Sequence, residues 1–182
     1  MKFSFLIVFI SFVFQLTAQD INSSYLINRN DSLTKKRKQI LLITEASLYT
    51  LSLVSLNQLW YADYPRSNFH FINDNQEWLQ MDKFGHMMSS YYTGISGIKA
   101  YEWAGFSRKN AIWYGGMTGS IFLTIIEILD GTSEEWGASS ADLLANTTGS
   151  LLAIGQAIYW KEQKLQLKYS YSPTKWALQN PE

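Results

Sequence analysis

Four stretches of the chain, 46–62, 84–98, 110–126 and 143–160, contain no Asp, Glu, Lys or Arg. Each is 15 to 18 residues long. With its flanks, each becomes a stretch of about 20 residues, the length that crosses a hydrocarbon core. Helices are predicted over 36–62, 77–103, 108–129 and 140–161. Ser107 and Ser139 stand where N-caps belong. Gly105 and Gly131 stand just past helix ends, where a left-handed cap residue belongs. Small residues recur at four-residue spacing: Ser90 and Gly94, Gly115 and Gly119, then Gly149, Ala153 and Ala157. Such faces let helix backbones approach closely, within one chain or between copies in a homo-oligomer. Beyond Gln163, Leu165, Leu167, Tyr169 and Tyr171 alternate with polar residues, which predicts a short irregular or strand-like tail.

The first 19 residues read as a secretory signal: Lys2, an apolar run over 3–14, then small residues ending at Ala18. Residues 20–35 form a polar, Asn- and Ser-rich linker, 36–162 the bundle, and 163–182 the tail. Trp60, Trp78, Trp103, Trp113 and Trp160 sit near the ends of the charge-free windows, as do Tyr61, Tyr101 and Tyr159. That is the distribution of an interfacial aromatic belt. The expected fold is all-α: a small membrane-associated four-helix bundle with an N-terminal signal segment. A soluble bundle with an aromatic core is the competing architecture.

Composition narrows the chemistry. Fifteen bases balance fifteen acids, so the net charge is zero, which argues against nucleic acid as a partner. The absence of Cys removes disulfides, thiolate zinc sites, Cys nucleophiles and a lipidated Cys. Mean hydropathy is only −0.11, yet charged residues are only 16%. In an up-down bundle these charges separate. Trp60, Asp63, Asp82, His86, Glu127, Asp130, Asp142 and Asn146 fall at one end. Lys35, Lys36, Arg37, Lys38, Arg108, Lys109, Lys161 and Lys164 fall at the other.

At the acidic end, spacing pairs the residues. Asp82 and His86 are i, i+4, Glu127 and Asp130 are i, i+3, and Asp142 and Asn146 are i, i+4, so each pair shares a helix face. Asp82, His86, Glu127, Asp130 and Asp142 are the candidate catalytic groups, because adjacent carboxylates separate each other's pKa values. Lys83, Asn146 and Ser140 are the candidate orienting or substrate-binding groups. His86, Asp82 and Glu127 offer nitrogen and oxygen ligands for a divalent metal ion. Structural roles compete with each of these. Asp142 suits the positive end of a helix dipole, Glu127 could pair with Lys83, and Asn146 could join helices. Ser89, Ser90, Ser139 and Ser140 lie near enough for a Ser–His arrangement, but no nucleophile motif surrounds them.

The runs Asp82-Lys83-Phe84-Gly85-His86, Glu127-Ile128-Leu129-Asp130-Gly131 and Trp136 to Leu143, followed by Asn146 and Gly149, carry a resemblance. In order and spacing they resemble the YfiM-like family of bacterial envelope proteins, some of them periplasmic lipoproteins, over residues 60–160. Asn73 to Gln80 resembles the longer form of that family. A more distant similarity is to VanZ-like multi-helix membrane proteins, linked to glycopeptide-antibiotic tolerance. The resemblance implies a helical envelope protein and singles out Asp82, Lys83, His86, Glu127, Asp130, Asp142 and Asn146. It implies no reaction. Relatives with a lipid anchor use a Cys that this sequence lacks, and relatives of the longer form are expected to continue past Glu182.

The expected location is the cell envelope, as a multi-pass inner-membrane protein with the polar cluster toward the periplasm, from the positive-inside rule. A cleaved signal conflicts with this by placing 35–38 in the periplasm. The expected partners are membrane lipids or a lipid-linked envelope substrate. Three functions remain open at this point: a hydrolase of an envelope lipid or glycan-lipid, a non-catalytic binder of a headgroup or cell-wall precursor, and a structural polar network without ligand.

Overall fold

The computed structural model describes residues 31–75 and 77–170. The signal segment, most of the linker, and Tyr171 with the end of the tail lie outside the described residues. The four expected helices are present. Helix α1 is Asp31–Leu56, prolonged by a π-helical turn, Asn57–Tyr61. Helix α2 is Met81–Trp103, preceded by a separate 3-10 turn, Glu77–Gln80. Helix α3 is Arg108–Gly131, with a π-helical turn at Ala111–Gly115. Helix α4 is Ser140–Tyr159.

Several boundaries follow from local chemistry. Ser107 Oγ accepts the Asn110 N–H at 3.3 Å, and Ser139 Oγ accepts the Asp142 N–H at 3.2 Å. Both serines therefore cap as expected. Gly105 is left-handed at φ +85° and turns the chain from α2 to α3. Gly131 differs from its expected role. It is the last residue of α3 with no positive φ, and it is small because the Phe69 ring lies against it. Helix α2 starts later than expected because Leu79 and Gln80 are left-handed, at φ 50° and 60°, which breaks the helical path. The tail is irregular through residue 170. Its backbone is held by side chains: Tyr91 and Tyr92 donate to the Leu165 and Leu167 carbonyls, and Gln156 both donates to and accepts from Leu165.

Helices α2, α3 and α4 pack closely on one another. A Cβ at Gly149 would run into the Met87 carbonyl oxygen, and one at Gly119 into the Ser90 backbone. Gly97 and Gly115 meet backbone to backbone in the same way. The small-residue faces are thus occupied by packing within the chain. Helix α1 lies along the side, joined by Tyr49 OH to the Thr118 carbonyl at 2.7 Å and Tyr101 OH to Glu45 Oε2 at 2.9 Å.

The interior is divided by depth. Near the basic end it is apolar, with Ile98, Ile112, Ile154 and Ala157 packed together. Nearer the acidic end it is polar: Asn146, Ser90 and Ser150 are fully buried. Ser90 Oγ donates to the Asn146 carbonyl at 2.6 Å and lies 2.9 Å from Ser150 Oγ. Large apolar side chains lie outside instead, including Ile43, Leu48, Leu51, Ile121 and Leu144.

One element was not anticipated. Phe71–Ile72 (β1) pairs in parallel with Ala138–Ser139 (β2), in register Phe71 to Ala138 and Ile72 to Ser139. Around it, the His70 N–H donates to the Gly131 carbonyl at 2.9 Å, and the Ser67 N–H to Thr132 at 3.0 Å. The loop after α1 is thereby fastened to the loop before α4, over the acidic end of the bundle.

The close approach of α4 to α2 gives a direct expectation. Gly149→Ala should destabilise the protein by about 1–3 kcal/mol through overpacking. Gly155→Ala, with nothing within 4 Å of its added Cβ, should stabilise it by about 0.5–1 kcal/mol. Thermal or denaturant unfolding of the two variants measures both signs.

Candidate functional site

The residues expected at the acidic end come together. The centre is Lys83, in the first turn of α2, with its side chain 12% exposed. Its ammonium pairs with Asp74, which the loop supplies. It also lies 3.2 Å from Asp82 Oδ2 and 3.2 Å from Asp142 Oδ1. The alternative pairing of Lys83 with Glu127 is not the one adopted.

His86 lies one turn further along α2. Its Nδ1 is 3.0 Å from Asn146 Oδ1 and 3.8 Å from Glu127 Oε1. Its Nε2 is 3.6 Å from Asp82 Oδ1. Glu127 is buried, and its Oε2 accepts the Ser139 N–H at 2.9 Å. Asp130 accepts the hydroxyl of Tyr61, which the π-helical turn at the end of α1 brings inward. Trp136 packs edge-on against Tyr61, at 5.5 Å between ring centroids.

Two residues carry contacts that the sequence reading missed or misplaced. Asp74 is buried and accepts from both Lys83 and, at 2.8 Å, Ser139 Oγ. It lies in the loop motif over 73–80, and no helical period points to it. Ser139, expected as a cap, also contacts the buried acids, in the orienting position expected of Ser140. It caps α4, donates to Asp74, and gives its N–H to Glu127. Ser140 is exposed. The serine nearest the site on α2, Ser90, bonds Asn146 and Ser150 and makes no Ser–His pair.

For cation binding, Asp82, His86 and Asp142 each offer one ligand atom, all within 4.8 Å of one another. Asp82 and His86 belong to the expected set. Glu127 lies beside Nδ1, on the other side of the imidazole from Asp82, and Asp142 takes its place in the three-residue group. Two open surface hollows, of about 420 and 330 Å³, lie elsewhere, on α1 and beside Arg108.

Burial alone would raise the Asp74 carboxyl, but hydrogen bonds from Lys83 and Ser139 and the Lys83 charge outweigh it and hold the group below its ordinary value. A depressed carboxylate stabilises the fold above its unfolded pKa, and that contribution is lost as pH falls through the folded value.

Fold and site together define an all-α protein with a buried carboxylate and lysine cluster, and a histidine beside it, at one end of its bundle. Residues 68–156 match the model of a family described as a predicted periplasmic lipoprotein (DUF2279). The match supports an uncharacterised envelope protein family and a location in the cell envelope. It includes β1, nearly all of the α2–α4 bundle, and each of Asp74, Asp82, Lys83, His86, Glu127, Asp130, Ser139, Asp142 and Asn146. No curated protein and no solved structure matches the chain.

Asp74→Asn leaves Lys83 with one fewer partner, Asp82 and Asp142 remaining, and should destabilise the fold by about 1.5–3 kcal/mol, the usual cost of losing a hydrogen bond to a charged group. The difference from wild type should be constant above about pH 4 and shrink in more acid solution. Unfolding midpoints followed from pH 7 to pH 3 measure it.

Proposed function

We propose that the chain is a membrane-embedded envelope protein whose acidic end hydrolyses a lipid or glycan-lipid substrate. Embedding is supported by the distribution of side chains: small and polar groups fill much of the interior, while many large apolar ones, Ile43, Leu51, Ile121 and Leu144 among them, are outside. In water that arrangement forfeits hydrophobic stabilisation; in lipid it does not. Two helices, Ser32–Tyr61 and Arg108–Gly131, are long and apolar enough to cross a bilayer, each with mean hydropathy 1.4. The basic end, with Arg37 against Trp103 and Lys38 against Phe106, faces the cytoplasm, and the acidic end faces the periplasm.

The observation that carries the hydrolytic reading is the setting of His86. One ring nitrogen is held by a buried Asn146, and the other faces Asp82 at the partly exposed mouth. That is the arrangement of a group oriented to activate water. The neighbouring Ser90 and Ser139 hydroxyls are engaged elsewhere, so water is the attacking group. Lys83 and Asn146 fix the carboxylates and the imidazole.

The headgroup-binding alternative has the same site without turnover, and both differ from a purely structural network in one experiment. Deleting the gene should make one class of envelope lipid or lipid-linked glycan accumulate, read by unbiased lipidomics. Wild type should reverse this. A folded His86→Ala variant should fail, with turnover of the accumulated compound reduced about 10²–10⁴-fold. Full complementation by His86→Ala would exclude catalysis at this residue. Retained binding of the accumulated compound by wild type, without its conversion, would select the binder.

A further inference from the structure

We propose that Asp82, His86 and Asp142 bind one divalent transition-metal ion of the Zn²⁺ or Mn²⁺ class. Their ligand atoms lie within 4.8 Å of one another and come from the first two turns of α2 and the first turn of α4. Bond lengths of about 2.0–2.2 Å require ligand atoms about 3–3.6 Å apart. Asp82, with its side chain 46% exposed, has the freedom to close that gap.

Three further observations point to a ligand. The first is the imidazole. Nδ1 lies 3.0 Å from the side-chain amide of Asn146, and Nε2 faces Asp82. Holding the inner nitrogen by a buried polar partner is how proteins orient a histidine ligand. The second is Asp142. Its side chain is 5% exposed, and its Oδ1 accepts no hydrogen bond, although Lys83 Nζ is 3.2 Å away. The Lys83 charge compensates that oxygen without a well-aligned hydrogen bond, which leaves its lone pairs open to an ion. The third is the division of Asp82. Its Oδ2 faces Lys83 at 3.2 Å, and its Oδ1 faces His86 Nε2 at 3.6 Å. The lysine takes one oxygen and leaves the other to the ion.

Charge agrees. Asp74, Asp82 and Asp142 surround a single ammonium, so carboxylates outnumber the one lysine charge they share. One nitrogen with two carboxylates suits a transition ion, whereas Mg²⁺ and Ca²⁺ prefer oxygen alone. The site does not depend on hydrolysis. If both hold, the ion activates the water in place of proton transfer to Nε2.

The test uses the full chain purified in detergent, stripped with a chelator and titrated with Zn²⁺ or Mn²⁺. Calorimetry reads affinity, and mass spectrometry of the metal reads stoichiometry. One ion per chain is expected. Affinity should fall about 10–100-fold in Asp82→Asn and His86→Ala, and Lys83→Met should bind at least as tightly as wild type. Asp82→Asn alters the most exposed ligand, so a folded variant is expected, and circular dichroism verifies it. Absence of a stoichiometric ion, or equal affinity in wild type and folded Asp82→Asn, overturns the site. Metal binding without turnover would refute hydrolysis alone and leave the cation site standing.

Discussion

A single buried ammonium organises the acidic end of this molecule. Lys83 is reached by Asp74 from a loop, by Asp82 from its own helix and by Asp142 from α4. Withdrawing such ions from water costs several kcal/mol each, and only close, well-hydrogen-bonded geometry offsets the cost. The surroundings supply that geometry. The parallel pairing of β1 with β2 delivers the loop, Ser139 caps α4 and donates to Asp74, and the Ser139 N–H holds Glu127. The same serine therefore links the helix start, the strand pair and the two buried acids. His86 stands beside this frame, held by Asn146 and flanked by Asp82 and Glu127.

The second constraint is the close approach of helix backbones at glycines. Glycines at 97, 115, 119 and 149 bring α2, α3 and α4 together backbone to backbone, and serine hydroxyls pair in the space that remains. An interior of this kind draws its cohesion from van der Waals contact and hydrogen bonds. It leaves many large apolar residues on the outside. It also holds the polar residues at one depth, which is why pairs from three different helices form a single cluster.

Much of this was legible in the sequence because helices of about 20 residues leave a strong signature. The charge-free windows located all four helices, Ser107 and Ser139 marked two helix starts, and i, i+4 spacing placed Asp82 with His86 and Asp142 with Asn146. The remainder was hidden for identifiable reasons. Asp74 lies in an aperiodic loop, so nothing local ties it to Lys83. The strands are two residues each, too short for alternation to register. The π-helical turn at Asn57–Tyr61, which aims Tyr61 at Asp130, leaves no mark in hydropathy. Ser139 and Ser140 are adjacent and chemically identical, and only the cap geometry separates the one that works at the site. Gly131 looked like a left-handed cap because a Gly at a helix end usually is one. Here the Phe69 ring accounts for it instead.

The central claim is that the acidic end is one coupled unit built around Lys83. A double-mutant cycle between Lys83→Met and Asp142→Asn, read by reversible unfolding in detergent, measures that coupling directly. The account predicts an interaction of about 1–3 kcal/mol, with the double variant less destabilised than the sum of the singles. Additivity within about 0.3–0.5 kcal/mol would contradict it, and would mean that the two charges share a neighbourhood without depending on each other.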